Sequence, residues 1–320
     1  MKVLITGANG FIGRSLCASL NKKDYYVCAC VRNHINDIIG VDEYVEVGNI
    51  GPETDWSQAL TEVDIIIHLA ARVHIMHEVA SNSLESFRKI NVAGTERLAQ
   101  MAVRTGVKRF IFISSVKVNG EGALRPYTEN DIPEPKDAYG ISKYEAENIL
   151  MNIAAETGLQ VVILRTPLVY GPGVKANFKN LIKIAGSRLP LPFKGINNRR
   201  SFLYIGNLLD AIMTCAKHAK AAGQTFMVSD GQDISTPDLV RMIADVMEIK
   251  GDSHKNFSSH LRLFYLNPGI LKALCKVAGK SEELNKVIGT LAVDSSKIRD
   301  LLGWSPLFTL EEGIKQTIKG

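Results

Sequence analysis

The sequence has no run of Lys and Arg, no aromatic-interleaved basic stretch and only five cysteines, and each shortage removes a class of function. The formal net charge of +5, from 38 basic and 33 acidic residues, reads as a mixed surface, so a nucleic-acid partner is not expected. Cys17, Cys28, Cys30, Cys215 and Cys275 show neither metal-ligand spacing nor the even count of a disulfide framework. They read as reduced core thiols, with Cys28 and Cys30 expected to alternate faces of one strand. His68, His74 and His77 lack carboxylates at matching spacing, so no metal is expected. No apolar stretch approaches the ~20 residues that span a bilayer. Met1-Lys2 leads straight into Val3-Leu4-Ile5, too short for the apolar part of an export signal, so a cytoplasmic protein is expected. Internal repeats and low-complexity tracts are missing as well.

What remains is the pattern of a chain that buries a core. The 320 residues leave room for one large α/β domain with a smaller appendage. Strands are predicted over Val3–Thr6, Tyr26–Val31, Asp64–Leu69, Phe110–Ser114 and Val161–Leu164, with helices over Gly13–Leu20 and Val92–Thr105 between them. These strands are continuous apolar runs rather than alternating ones, which suits a sheet covered on both faces. The expected fold is a doubly wound parallel sheet (Rossmann-type) with a smaller mixed C-terminal substrate domain. Residues 1–165 form the dinucleotide-binding domain in this reading, with later segments such as 202–230 returning to it, and 166–320 are mainly substrate-binding. Thr236-Pro237 opens a helix over Asp238–Glu248, with Thr236 as its N-cap. The apolar segment 261–278 reads as a lid or core helix, with contact to a membrane surface as the alternative.

Thr6-Gly7-Ala8-Asn9-Gly10-Phe11-Ile12-Gly13 joins the first strand to the first helix. In such a turn the first Gly permits the bend, and the second lets the backbone approach a diphosphate. The third packs the helix close to the strand, and the helix N-terminus supplies amide donors. Tyr139-Gly140-Ile141-Ser142-Lys143 then places a phenol and an ammonium one helical turn apart. A free phenol titrates near ~10, too high for neutral acid/base work, and a neighbouring cation is expected to lower it. Ser115, at the end of a strand, stands where it can hydrogen-bond the oxygen that reacts.

Together these segments resemble the extended short-chain dehydrogenase/reductases, in the nucleotide-sugar epimerase, dehydratase and ketoreductase branch. His68-Leu69-Ala70-Ala71, Asn91-Val92-Ala93-Gly94-Thr95, Arg200-Ser201-Phe202, Asp294-Ser295-Ser296-Lys297 and Leu302-Gly303-Trp304-Ser305-Pro306 extend the resemblance over almost the full length. It implies that Ser115, Tyr139 and Lys143 are catalytic and that Asn91 helps place the lysine. It implies a cofactor site at Gly7, Asn9, Gly10, Phe11, Ile12, Gly13, Arg32, Asn33, Asn49, Ile50, Leu69, Ala70, Ala71, Tyr139 and Lys143. Arg200 matches an arginine that grips the substrate diphosphate, and Lys117 is a second candidate substrate contact. Relatives also imply a homodimer through the Tyr-Lys helix.

Relatives that bind NAD commonly end the second strand with Asp; here Val31-Arg32 stands instead, which favours NADP(H), with NAD(H) as the alternative. A net reductase consumes NADPH, so the favoured expectation is an NADPH-dependent reductase of a UDP-4-keto-6-deoxy-N-acetylhexosamine. The alternative is a UDP-sugar 4-epimerase with tightly bound NAD, since Ala71-Arg72-Val73-His74 and Ser115–Glu121 resemble a bacterial subgroup often labelled UDP-glucose 4-epimerase. A catalytically silent NAD(P)-sensing protein is the third possibility. A dehydratase is disfavoured, because Val116-Lys117 stands where dehydratases carry an Asp-Glu pair.

Overall fold

The computed structural model describes residues 1–21, 25–33, 35, 37–73, 84–122, 125–187, 190–250, 262–277, 279, 284 and 287–319. The sequence expectations for His74 and His77, the ends of the 261–278 segment and the Cys275 side chain lie outside these.

The first half alternates strand and helix. β1 (Lys2–Thr6) leads to α1 (Phe11–Asn21), then β2 (Tyr26–Val31), β3 (Glu43–Glu46) and β4 (Ile65–His68) follow. A helical stretch runs as α2 (Leu84–Phe87), one π-helical segment (Arg88–Ala93) and α3 (Gly94–Arg104). Then come β5 (Arg109–Ser115), α4 (Ala138–Thr157) and β6 (Gln160–Thr166). The sheet order is β3-β2-β1-β4-β5-β6, with every pair parallel. Strand order reverses between β1 and β4, the crevice where open α/β sheets hold ligands.

The central strands β1, β4, β5 and β6 are buried on both faces, and the two faces feed different cores. Val3, Ile5, Val27, Ala29 and Ile67 pack with α1 and the later helix Ile205–Lys217, while Leu4, Ile66, Phe110 and Phe112 pack with α3 and α4. Cys28 and Cys30 both join the second core. Residues i and i+2 of a strand share a face, so the expectation that they would alternate is corrected. Burial pushes the thiols up, Cys17 to about 11 and Cys28 to about 12, which keeps them inert at neutral pH.

Beyond β6 the chain builds a second, smaller layer: β7 (Leu168–Tyr170), α5 (Ala176–Ala185), β8 (Phe202–Tyr204) and α6 (Ile205–Lys217). β7 and β8 pair in parallel as a two-stranded sheet. The chain then re-enters the main sheet as β9 (Gln224–Met227), its seventh strand, parallel to β6. α7 (Thr236–Lys250), α8 (Pro268–Val277), α9 (Ser296–Leu302) and α10 (Leu310–Lys319) complete the described helices.

At the start of α7 the cap is Ser235, one residue earlier than expected. Its Oγ accepts from the Asp238 N–H (3.2 Å) and donates to the Asp238 carboxylate (2.5 Å). The Thr236 hydroxyl is turned instead to the Val287 carbonyl. Leu271 of α8 packs with Phe193, Ile196 and Leu284 in a small core of its own, while Phe264, Tyr265 and Ile270 stay exposed.

Candidate active site

The parallel sheet puts the ends of β1, β2, β4 and β5 on one edge, so Gly7, Arg32, Leu69 and Ser115 emerge side by side. The glycine turn is tight. Gly7 has φ +67, and a Cβ there would come within 2.9 Å of the Ala70 nitrogen. A Cβ on Gly13 would lie 2.3 Å from the Gly7 carbonyl oxygen, so only glycine lets α1 start this close to β1. A Cβ on Gly10 would meet nothing within 4 Å except that carbonyl, at 3.1 Å. Asn9 and Gly10 are exposed at the turn, and Phe11 and Ile12 are half-buried behind it.

Arg32 and Asn33 lie exposed just beyond β2. Asn49 is exposed and Ile50 half-buried beyond β3. Leu69, Ala70 and Ala71 are half-buried beyond β4, and the Leu69 N–H donates to the Thr6 carbonyl (3.3 Å).

A chain of buried hydrogen bonds ties this edge together. The Ala70 N–H donates to Thr6 Oγ1 (3.2 Å), which lies 2.7 Å from His68 Nδ1. His68 Nε2 lies 3.0 Å from Thr95 Oγ1, and that hydroxyl donates to the Asn91 carbonyl (2.8 Å). The single Thr95 proton is thereby used, so His68 Nε2 is the donor and Nδ1 accepts from Thr6. Burial, with Lys143 adding to it, pushes the imidazole down to about 3, so it is neutral.

Asn91 sits in the π-helical segment and continues the chain. Its Oδ1 accepts from the Arg72 N–H (2.7 Å), and its Nδ2 donates to the Arg72 carbonyl (3.0 Å) and to Ser142 Oγ (2.9 Å). Ser142 in turn donates to the Tyr139 carbonyl (2.8 Å). Asn91 therefore joins the loop after β4 to the first turn of α4.

Tyr139 and Lys143 occupy that turn and the next. Asp137 caps the helix, accepting from the Gly140 N–H (2.7 Å), and its other oxygen is ion-paired with the Lys117 ammonium. A Cβ on Gly140 would come within 2.8 Å of the Lys117 carbonyl, so α4 starts hard against the turn that follows Ser115. Ser115 itself is half-buried, and its Oγ accepts from the Lys117 N–H (3.2 Å).

Lys143 is 2% exposed, and its ammonium stands 3.9 Å from the centroid of the Phe112 ring. Burial pushes it down to about 7, against the opposing charge of Glu147. The Tyr139 phenol goes up to about 12, raised by burial and then by Asp137. The sequence led us to expect a phenol lowered by its lysine. Instead, desolvation and the Asp137 charge both raise the phenol.

The remaining candidates sit further out. The Lys117 ammonium is held by Asp137 and, at 3.7 Å, by Glu121, so its charge is already matched. Arg200 is half-buried, with its guanidinium donating to the Gly289 carbonyl (2.9 Å). Burial lowers its pKa, against the nearby Glu121. Sequence reasoning did not single out Asp137, and it placed Thr6, His68, Thr95 and Ser142 in motifs without giving them these hydrogen-bonding roles. Among the described residues no group of three or more His, Cys, Asp or Glu is placed to hold a metal. No described helix is long and apolar enough to cross a membrane.

A parallel sheet with a glycine turn at its switch point, together with the family match, marks an extended short-chain dehydrogenase/reductase. Residues 3–229 match the NAD dependent epimerase/dehydratase family, and the chain belongs to it. It is 43% identical over 319 residues to the UDP-glucose 4-epimerase of Vibrio cholerae, covering 98% of this chain and 94% of that protein. The solved structure of MoeE5 in complex with UDP-glucuronic acid and NAD superposes with a TM-score of 0.77 at 25% identity, covering 100% and 98% of the two chains. UDP-N-acetylglucosamine 4-epimerase from Bacillus cereus shares the fold, with a TM-score of 0.79 at 21% identity over 98% and 97%.

Proposed function

We propose that this chain is a UDP-sugar 4-epimerase that keeps its NAD between turnovers. The observation that carries the reading is the 43% identity of this chain to a UDP-glucose 4-epimerase over almost its full length, with Ser115, Tyr139 and Lys143 as the proposed catalytic set. That similarity supports the epimerase over the 4-keto-sugar reductase expected from Val31-Arg32. The NAD dependent family match and the NAD complex of a similar structure support NAD over NADP(H) as well.

The glycine turn fits a dinucleotide: Gly10 leaves open the space that a diphosphate needs, at the start of α1. Gly7, Asn9, Gly10, Phe11, Ile12 and Gly13 would hold the diphosphate, and Leu69, Ala70 and Ala71 would back the nicotinamide half. Arg32, Asn33, Asn49 and Ile50 would surround the adenosine. When bound, the oxidised dinucleotide supplies a hydride acceptor and a positive charge at this edge.

Tyr139 takes the proton from the C4 hydroxyl of the sugar and later returns it. Ser115 donates a hydrogen bond to the same oxygen. Lys143 supplies a buried cation behind the phenol, and Asn91 fixes the helix turn that carries both. Arg200 grips the diphosphate of the sugar nucleotide with its remaining donors. Lys117 braces the Asp137 cap rather than the substrate. The described residues beyond β6, other than the segment 202–230 that returns to the main sheet and its core, form most of the substrate-binding part, and two copies associate along α4.

The test is direct. Purified protein is given UDP-glucose without added coenzyme, and C4 epimerisation is followed by NMR. Nucleotide released by denaturation is identified by mass spectrometry, and light scattering gives the assembly. Turnover that requires a 4-keto sugar and stoichiometric NADPH would return the reductase. Dinucleotide binding with no turnover on any UDP-sugar would leave a sensing protein.

A further inference from the structure

Tyr139 and Lys143 are followed on the same buried face of α4 by a third polar residue, Glu147, another turn along. Glu147 is 3% exposed and meets Arg165 of β6, itself 6% exposed. The Arg165 Nε donates to both carboxylate oxygens at 3.1 Å, and one terminal nitrogen donates to Oε2 at 2.6 Å. Its other terminal nitrogen donates to Asn119 Oδ1 (3.0 Å), and the Asn119 amide donates on to the Thr128 carbonyl (3.4 Å).

A buried ion pair of this kind rarely repays its desolvation as stability, and apolar residues of equal volume often serve as well. Its position suggests another use. Lys143 lies one turn from Glu147 with the Phe112 ring beneath its ammonium, in surroundings that disfavour charge. Of the other titratable groups on the elements packed around it, His68 of β4 is kept neutral by burial, Tyr139 lies on the same helix, and Asp137 is ion-paired with Lys117. Glu147 is the buried anion one helical turn from it on the same helix, and Arg165 and Asn119 fix where that anion stands.

We infer that Glu147 is a positioning residue that keeps Lys143 in its charged form, with Arg165 and Asn119 setting the strength of its field. The inference rests on the reading of Lys143 as the cation behind Tyr139. One charge a helical turn away in a half-screened interior shifts a neighbour by on the order of one pH unit. Too weak a field leaves an amine at neutral pH; too strong a one locks the ammonium against Glu147.

The experiment needs no substrate. Lysine labelled with 13C at Cε reports the titration of Lys143 by NMR in the purified chain, with the signal assigned by its loss in Lys143→Arg. Glu147→Gln keeps an acceptor for Arg165 but removes the charge, and its Lys143 midpoint is expected to fall by about one pH unit. An unchanged or raised midpoint overturns the inference. Should Glu147→Gln fail to fold, Asn119→Asp decides: a carboxylate there draws on Arg165, so the midpoint is expected to rise, and an unchanged or lowered one overturns the inference. The alkaline limb of kcat should move with the midpoint while KM stays put. Absence of epimerase turnover in the parent chain would sink the functional reading while the NMR titration still decides this one.

Discussion

The Lys143 ammonium stands 3.9 Å above the Phe112 ring, inside the core that Phe112 shares with Leu98 and Leu150. A cation in that setting is partly compensated by the ring's negative face, yet it is taken out of water at a cost. The fold tolerates that cost to keep a charge beside Tyr139.

Lys143→Met should therefore stabilise the protein while abolishing activity. The folded amine titrates near about 7, below its value of 10.5 in an open chain. Between those values the unfolded state binds the extra proton, so the penalty is complete below pH 7 and fades as the pH climbs toward 10. Melting curves are expected to show Lys143→Met ahead by a few degrees at pH 6, with the gap narrowing by pH 9. A variant that melts lower at pH 6 contradicts this.

Tyr139→Phe removes one hydroxyl at the reacting centre. Turnover is expected to drop by roughly 10²–10⁴-fold, the usual worth of a positioned acid/base. Dinucleotide content, measured after denaturation, should match that of the parent. Loss of the nucleotide along with activity would mean that the phenol holds the fold rather than the proton.

Two glycines of the turn, Gly10 and Gly13, should separate folding from binding. Gly13→Ala forces a methyl to 2.3 Å from the Gly7 oxygen, backbone that has no room to retreat, so poor folding is expected. Gly10→Ala meets only that oxygen, at 3.1 Å, and should fold but purify without dinucleotide. Equal melting temperatures with equal nucleotide content in all three proteins would remove the diphosphate assignment.

Asp230 offers a pH test in the second layer. It accepts from the Tyr204 N–H, the Asn207 amide and the Tyr170 hydroxyl, while burial raises its carboxyl to about 6. The folded state thus binds the extra proton between about 4 and 6, and stability falls as the pH rises through that window. Asp230→Asn should flatten the slope, because Tyr170 can turn its proton to the Leu310 carbonyl, 3.2 Å away. Urea midpoints at pH 4.5 and 7.5 check this, and a slope identical to the parent's counts against it.

The parts legible in the sequence were those with local signals. Val3–Ile5 is apolar throughout because both faces of β1 are covered, and Gly7, Gly10 and Gly13 announce a turn by spacing alone. Tyr139 and Lys143 need only helical periodicity. Other features depend on partners far along the chain. Thr6 meets His68 across 62 residues, His68 meets Thr95 across 27, and Arg165 meets Asn119 across 46. A histidine in an apolar strand carries no mark of the hydroxyls above and below it. The Ser235 cap was hidden because Thr236-Pro237 satisfies the same local rule one position later. Reductase and epimerase share Ser115, Tyr139 and Lys143, and differ in whether the coenzyme leaves, so the Val31-Arg32 pair was a thin guide to the reaction.

The late return of β9 to the side of β6 has a consequence for how this protein can be divided. A ribosome must have made the residues up to Met227 before β6 gains its outer neighbour. A fragment ending at 165 would present β6 as a bare edge, the kind of border along which chains stick to one another. Gene-level exchange of the half beyond β6, with a crossover between residues 166 and 223, would therefore carry one stave of the main sheet along with it.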